Sequence, residues 1–193
     1  MITVIIFVVI AYLCGSLSSA IIVCKLLNLP DPRTKGSKNP GASNVMRIAG
    51  KKTAALVLLG DALKGFIPVL LARIFHIESF FVGIVALAAV LGHIYPVFFK
   101  FKGGKGVATF IGTTFAFSPI VGLAFIITWL IVAALFRYAS LASLISSALT
   151  VFFIMIFSNP AYLIPVLAII ALIIWQHWGN IQRLRFGTET KIS

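Results

Sequence analysis

The chain has 193 residues, 61% of them hydrophobic and only 10% charged, and its 16 Lys and Arg against 4 Asp and Glu leave a net charge of +12. A soluble domain is about 45–50% apolar and about 25% charged, so this composition, with a mean hydropathy of +1.12, excludes an ordinary soluble fold and leaves no length for a sizeable soluble domain. The positive excess has no soluble basic module to carry it, which points to membrane topology and anionic lipid rather than nucleic acid.

Apolar runs suited to transmembrane helices lie at Ile2–Val23, Thr53–Leu71, Phe80–Phe99, Val107–Phe117, Ile120–Phe136, Leu141–Phe157 and Ala161–Trp178. The first has no basic residue before it and reads as a retained helix rather than a secretory signal. Cys14 and Cys24 both fall in this run, without metal-ligand spacing, and read as core thiols. Val107–Phe117 is the outlier: its length makes only about 17 Å of helix against a hydrocarbon core of about 30 Å, so it is either a short span or a re-entrant half-helix.

Charge decides between these. Lys25–Lys52, Lys100–Lys105 and Arg183–Lys191 are rich in Lys and Arg, and Arg137 stands alone between two runs. Arg73–Ser79, Ser118–Pro119 and Ser158–Pro160 are poor in them. If all the runs cross, every basic residue except Lys64 and Arg73 falls on one side, as the positive-inside rule requires. If Val107–Phe117 does not cross, Lys100–Lys105 and Arg137 end up on opposite sides. The expectation is therefore an all-α polytopic integral membrane protein of about seven transmembrane helices, one domain over residues 1–193, with the N-terminus outside and the C-terminus cytoplasmic.

Polar chemistry collects on the side with the positive charge. The long loop Lys25–Lys52 carries Pro30, Pro32, Pro40, Gly36 and Gly41, which oppose a long continuous helix. Within it, Ser37, Asn39 and Asn44 offer neutral hydrogen-bonding groups, and Arg47 offers a planar fork suited to phosphate oxygens. Gly103, Gly104, Lys105 and Gly106 can turn backbone N–H groups and one ammonium toward a phosphate-like anion, reinforced by a helix starting near Val107. Asp61 and Lys64, spaced i,i+3 in an apolar helix, can pair and so lower the cost of placing ions in lipid. His177 and Asn180, again i,i+3, stand at the end of the last run with Glu189 beyond, and Ser140 and Ser143 add hydroxyls nearby. His177 fits a proton acceptor, a phosphate donor or an interfacial anchor beside Trp175 and Trp178.

Several chemistries are disfavoured. Four scattered acids do not easily build a cluster for two divalent metals, which argues against metal-dependent phosphoalcohol transfer. None of the three histidines has an Asp five positions later, so the dyad of many acyltransferases is missing. No metal and no cofactor is expected. A transporter for phosphorylated metabolites would also suit a basic, glycine-rich mouth, but no inverted repeat is visible. A purely structural membrane subunit would not need so dense a polar constellation.

Taken in order, Gly15-Ser16, Ser37…Asn39…Gly41…Asn44…Arg47, Gly60-Asp61…Lys64-Gly65, Gly92-His93…Pro96…Gly103-Gly104-Lys105-Gly106-Val107-Ala108-Thr109 and His177…Asn180-Ile181…Arg183-Leu184…Gly187-Thr188-Glu189 resemble the bacterial acyl-phosphate-dependent glycerol-3-phosphate acyltransferases, the PlsY family. The resemblance runs nearly end to end. At His177, Trp178 and Gly179 follow where many members of that family carry a basic residue. The resemblance implies transfer of a fatty acyl chain from acyl phosphate to the sn-1 hydroxyl of glycerol 3-phosphate, giving lysophosphatidic acid and phosphate, in the bacterial inner membrane with the active site cytoplasmic. It also implies essential roles for Ser37 and Arg47, glycerol 3-phosphate binding at Gly103–Gly106, activity roles for His177 and Asn180, and a structural role for Glu189. The substrates and membrane lipids are then the expected partners, with no obligate protein partner. Ser37, Ser143, Asn39 and Asn44 are assigned to phosphate binding, and Asp61 with Lys64 to structure.

Overall fold

The computed structural model describes residues 1–192, and those residues contain helices and no strand. In chain order the helices are α1 (Ile2–Gly15), α2 (Ser19–Leu26), α3 (Ala42–Ile74), α4 (Ser79–Ile94), α5 (Val107–Phe117), α6 (Pro119–Phe136), α7 (Ala139–Phe157), α8 (Leu163–Gln176) and α9 (Trp178–Arg185). Short 3₁₀ turns at Val97–Phe99 and Pro160–Tyr162 follow α4 and precede α8. Four helices are long and apolar enough to cross a membrane alone, and the bent pairs α1–α2 (42°) and α8–α9 (58°) bring the number to six when each pair is counted as one span. The 11-residue α5 is apolar but shorter than these.

The first expected span is broken, and side-chain hydrogen bonds cover the break. At Ser16–Ser18 the hydroxyl of Ser16 donates back to the Tyr12 carbonyl (2.9 Å), and Lys64 Nζ donates to the freed carbonyl of Leu17 (2.7 Å). A broken helix inside a membrane protein needs such substitutes for its lost backbone bonds. The second span is longer than its apolar run, starting at Ala42, because the loop ends at Gly41 and the helix passes through Gly50 with a kink. Gly50 has φ +79°, a conformation that suits glycine. The irregular part of the long loop is therefore confined to residues 27–41.

Small residues set the helix spacing. α1 packs on α4, and α5 packs on α3. A Cβ on Gly15 would strike the Ala89 backbone, one on Gly65 would strike that of Thr109, and one on Gly112 would strike that of Ala62. Such close approach replaces the hydrophobic drive that lipid-facing helices lack. The core runs from Ala11 and Val69 through Val85 and Phe110 to Phe125, Ile169 and Ile173.

The two ends of α5 lie at opposite ends of the bundle. Its first residue lies two positions after Lys105, which meets Asn180, and its last turn lies by Arg73, whose guanidinium donates to the Ala116 carbonyl. The segment before the 11-residue α5 is held against α4. The amides of Gly103 and Gly104 donate to the carbonyls of Ile94 (3.2 Å) and His93 (3.1 Å), which pins that segment to the end of a 16-residue helix, about 24 Å long.

Candidate functional site

The polar end of the bundle centres on Lys105. Its ammonium donates to Asn180 Oδ1, and Asn180 Nδ2 donates to Glu189 Oε1 (2.6 Å). The same Glu189 oxygen accepts from Ser140 Oγ (2.7 Å), while Oε2 accepts from Arg183 Nε (2.7 Å). Glu189 is brought there by a turn at Gly187 (φ +68°), closed by Thr188 N donating to the Arg183 carbonyl (2.8 Å). The tail is then tied to the α6–α7 turn, where Ile192 and Arg137 exchange two hydrogen bonds.

The electrostatics follow from this geometry. Burial pulls the Lys105 ammonium down to about 8, the Glu189 carboxylate opposes that, and Arg183 and Arg47 add to it. Arg47 is thus within electrostatic reach of Lys105, although it lies on the far side of the Gly50 kink. Burial alone would raise the Glu189 carboxyl, but hydrogen bonds from Asn180, Ser140 and Arg183 hold it below the usual carboxylate range.

His177 sits at the α8–α9 break, 3% exposed, within reach of the charges on Lys105 and Glu189. Its Nδ1 lies 2.8 Å from the Ile173 carbonyl, an acceptor only. Nδ1 therefore carries the proton, and in the neutral ring Nε2 keeps its lone pair for another partner.

The glycines act differently from the sequence expectation. Gly103 and Gly104 were expected to present N–H groups to an anion, but both amides are spent on α4 carbonyls. Glycine is needed there for contact: a Cβ at 103 would strike the His93 carbonyl, and one at 104 the His93 ring and, at 3.2 Å, the Pro40 carbonyl. Gly104 thus brings the loop before α3 against the segment before α5. Gly106 has φ +89° and opens α5, so the amides left to face a ligand are those at the start of α5.

The loop residues divide. Asn44 is buried, its Oδ1 accepting from Ser37 N (2.8 Å) and its Nδ2 donating to the carbonyls of Pro32 (2.8 Å) and Lys35 (3.1 Å). With its amide used this way, Asn44 shapes the loop instead of meeting phosphate. The side chains of Ser37, Asn39 and Arg47 have no protein hydrogen-bond partner among the described residues. Ser143 was likewise expected at phosphate, but its hydroxyl donates to the Ala139 carbonyl of its own helix (2.8 Å) and accepts from Trp129 Nε1 (3.1 Å).

Asp61 and Lys64 pair at 2.8 Å with side chains 2% and 6% exposed. A third member escaped the sequence reading: His93 Nδ1 lies 3.7 Å from Asp61 Oδ1. It belongs to α4, so no helical spacing could reveal it; its only signal was the following glycine-rich segment. Arg183 was also missed as a partner of Glu189, six residues on, although the Gly187 turn between them closes that loop. Among the described residues, no group of three His, Cys, Asp or Glu could hold a metal ion.

The glycerol-3-phosphate acyltransferase family profile matches residues 5–187. The chain belongs to the glycerol-3-phosphate acyltransferase family. A glycerol-3-phosphate acyltransferase of Coxiella burnetii (strain Dugway 5J108-111) is 53% identical over 188 residues, covering 97% of each chain. That of Ruthia magnifica is 52% identical over 190 residues, covering 98% of this chain and 96% of its own. The crystal structure of PlsY, an integral membrane glycerol 3-phosphate acyltransferase, in its glycerol 3-phosphate form superposes with a TM-score of 0.93 at 43% identity, covering 99% of this chain and 96% of that one. Its lysophosphatidic acid form gives 0.92 at 42%. The family's acyltransferase activity and its membrane-embedded helical fold therefore apply to this chain.

Proposed function

We propose that this acyltransferase takes its acyl group from acyl phosphate and places it on the sn-1 hydroxyl of glycerol 3-phosphate, releasing lysophosphatidic acid and inorganic phosphate. One transmembrane domain does so at the cytoplasmic face of the bacterial inner membrane. The observation that carries this reading is the half-desolvated Lys105 ammonium, held by Asn180 at the start of α5 with Arg47 in reach and the free Nε2 of His177 nearby.

Both substrates bring phosphate, so two anions must lie close together, and fixed cations and donors in a water-poor site are what stabilise them. Lys105 and the first amides of α5 hold the glycerol 3-phosphate. Arg47, with Ser37 and Asn39, holds the phosphate of the donor. Asn180 positions the ammonium and takes its own orientation from Glu189. The substrate hydroxyl oxygen attacks the acyl carbonyl carbon, the bond from that carbon to the phosphate oxygen breaks, and phosphate leaves with the electron pair. The hydroxyl proton passes to His177 Nε2 or to the departing phosphate. The mixed anhydride is already activated, so positioning supplies much of the rate, up to about 7–11 kcal/mol in ideal cases.

The test uses purified protein in detergent with acyl phosphate and glycerol 3-phosphate. Phosphate release that needs both substrates, with acyl chain recovered at sn-1, is the expected result. Equal turnover with acyl-carrier or coenzyme thioesters in place of acyl phosphate would overturn the donor assignment. A reporter fused after Ser118 tests the orientation: it should be exposed outside the cytoplasm.

A further inference from the structure

At the end of the bundle away from Lys105, the turns after α3, α5 and α7 border an open cavity of about 700 Å³ lined by Arg73, His76, Glu78, Phe117, Asn159 and Tyr162 among others. The acyl-transfer chemistry uses none of these residues. We propose that this cavity binds a phosphate–ammonium zwitterion of the phosphoethanolamine class, presented by the phospholipid headgroups of the leaflet at that end.

The charges are the first argument. Arg73 and Glu78 line the same cavity, yet no ion pair joins them, and among the described residues neither has any other salt-bridge partner. A cation and a carboxylate held apart in one cavity match a ligand whose own opposite charges are held apart. The guanidinium is fixed by its bond to the Ala116 carbonyl at the end of α5, which leaves its other N–H groups for phosphate oxygens.

The framework is the second argument. His76 has φ +54°, a left-handed conformation unusual for a side-chain-bearing residue, and its amide donates to the Arg73 carbonyl (2.9 Å). This turn places His76 in the cavity wall beside Arg73. Asn159 Nδ2 donates to Ser79 Oγ (3.0 Å), tying the α7–α8 turn to the start of α4. Phe117 stacks on Tyr162 with centroids 4.3 Å apart, giving a rigid apolar wall. The cavity lies at the ends of the long apolar helices α3 and α7, and the exposed Phe157 in its lining suits an acyl chain.

The test is native mass spectrometry of the delipidated full chain in detergent, titrated with phosphatidylethanolamine, phosphatidylglycerol, glycerophosphoethanolamine and inorganic phosphate. The expected result is one phosphatidylethanolamine retained per chain, with phosphatidylglycerol weaker by about fivefold, the upper range for one solvent-accessible ion pair. Glu78→Gln should lower phosphatidylethanolamine to the level of phosphatidylglycerol while leaving acyl transfer in detergent unchanged. Arg73→Gln should weaken both lipids. Competition by glycerophosphoethanolamine at equal concentration would uphold the zwitterion site and assign it to a soluble ligand; failure to compete would assign it to the lipid. Equal retention of both lipids by the unmodified chain, insensitivity to both substitutions, or equal competition by inorganic phosphate would overturn the proposal.

Discussion

Lys105 offers the sharpest test of the proposed phosphate site, because its charge is set by its surroundings. With its ammonium pulled down to about 8, about nine-tenths of the chain carries the charge at pH 7, half at pH 8 and about one-tenth at pH 9. If that charge holds glycerol 3-phosphate, kcat/KM should bend near pH 8 and fall about tenfold per pH unit above it. Substrate phosphate, with its second pKa near 6, sets the acid side. Two substitutions fix the assignment. Lys105→Arg cannot lose its charge in this range, so its profile should have no bend near pH 8, although the longer fork lowers the overall rate. Glu189→Gln removes the carboxylate that supports the ammonium, so its bend should move below pH 8, a shift of one unit being about 1.4 kcal/mol. The assay is initial phosphate release at subsaturating glycerol 3-phosphate from pH 6 to 9.5. An alkaline bend that survives unchanged in Lys105→Arg would refute the reasoning, since the titrating group would then be something else.

Three other outcomes follow from the geometry. Lys64→Met leaves the buried Asp61 carboxylate without its cation and should cost about 3–5 kcal/mol, read as a lower unfolding midpoint in detergent, whereas Asp61→Asn with Lys64→Met should recover most of it. His177→Ala should lower kcat by about 10²–10⁴ with a smaller change in KM if Nε2 accepts the hydroxyl proton; kcat close to that of the unmodified chain assigns the proton to departing phosphate. Ser140→Ala removes a donor from Glu189 and should lower acyl transfer, while Ser143→Ala, whose hydroxyl serves its own helix, should leave kcat/KM nearly unchanged.

The helical membrane fold was legible because hydropathy and the distribution of Lys and Arg report directly on burial in lipid. The breaks were not. Nothing in Ser16–Ser18 says that the first span bends; that depends on Lys64, 47 residues away, reaching the Leu17 carbonyl. The site was legible as a set of residue types, and Lys105, Asn180, His177 and Glu189 do come together. The partition of roles was hidden, because it depends on which hydrogen bonds are already spent. Asn44 and Ser143 looked like ligand donors and are used inside the protein, while Gly103 and Gly104 serve contact instead of presenting amides. Ser140 and Ser143 differ by less than one helical turn, and only the tail carrying Glu189 decides that the first of them faces the site.

The shortness of α5 is tied to the chemistry. Starting the helix at Val107 and pinning Gly103 and Gly104 to α4 holds the Lys105 ammonium between them, where burial pulls it down to about 8. The same close packing sets His93 against Gly104, and Asp61 and Lys64 form the next polar layer through His93. That layer is nearly neutral as an ion pair, so the net positive charge facing a ligand comes from Lys105, Arg47 and Arg183. Glu189 is the one carboxylate among them; it holds Arg183 directly and Lys105 through Asn180. In the proposed reaction these cations meet the phosphate of the soluble acceptor beside a membrane-held acyl donor, and that is how one pocket would join a soluble molecule to a lipid chain.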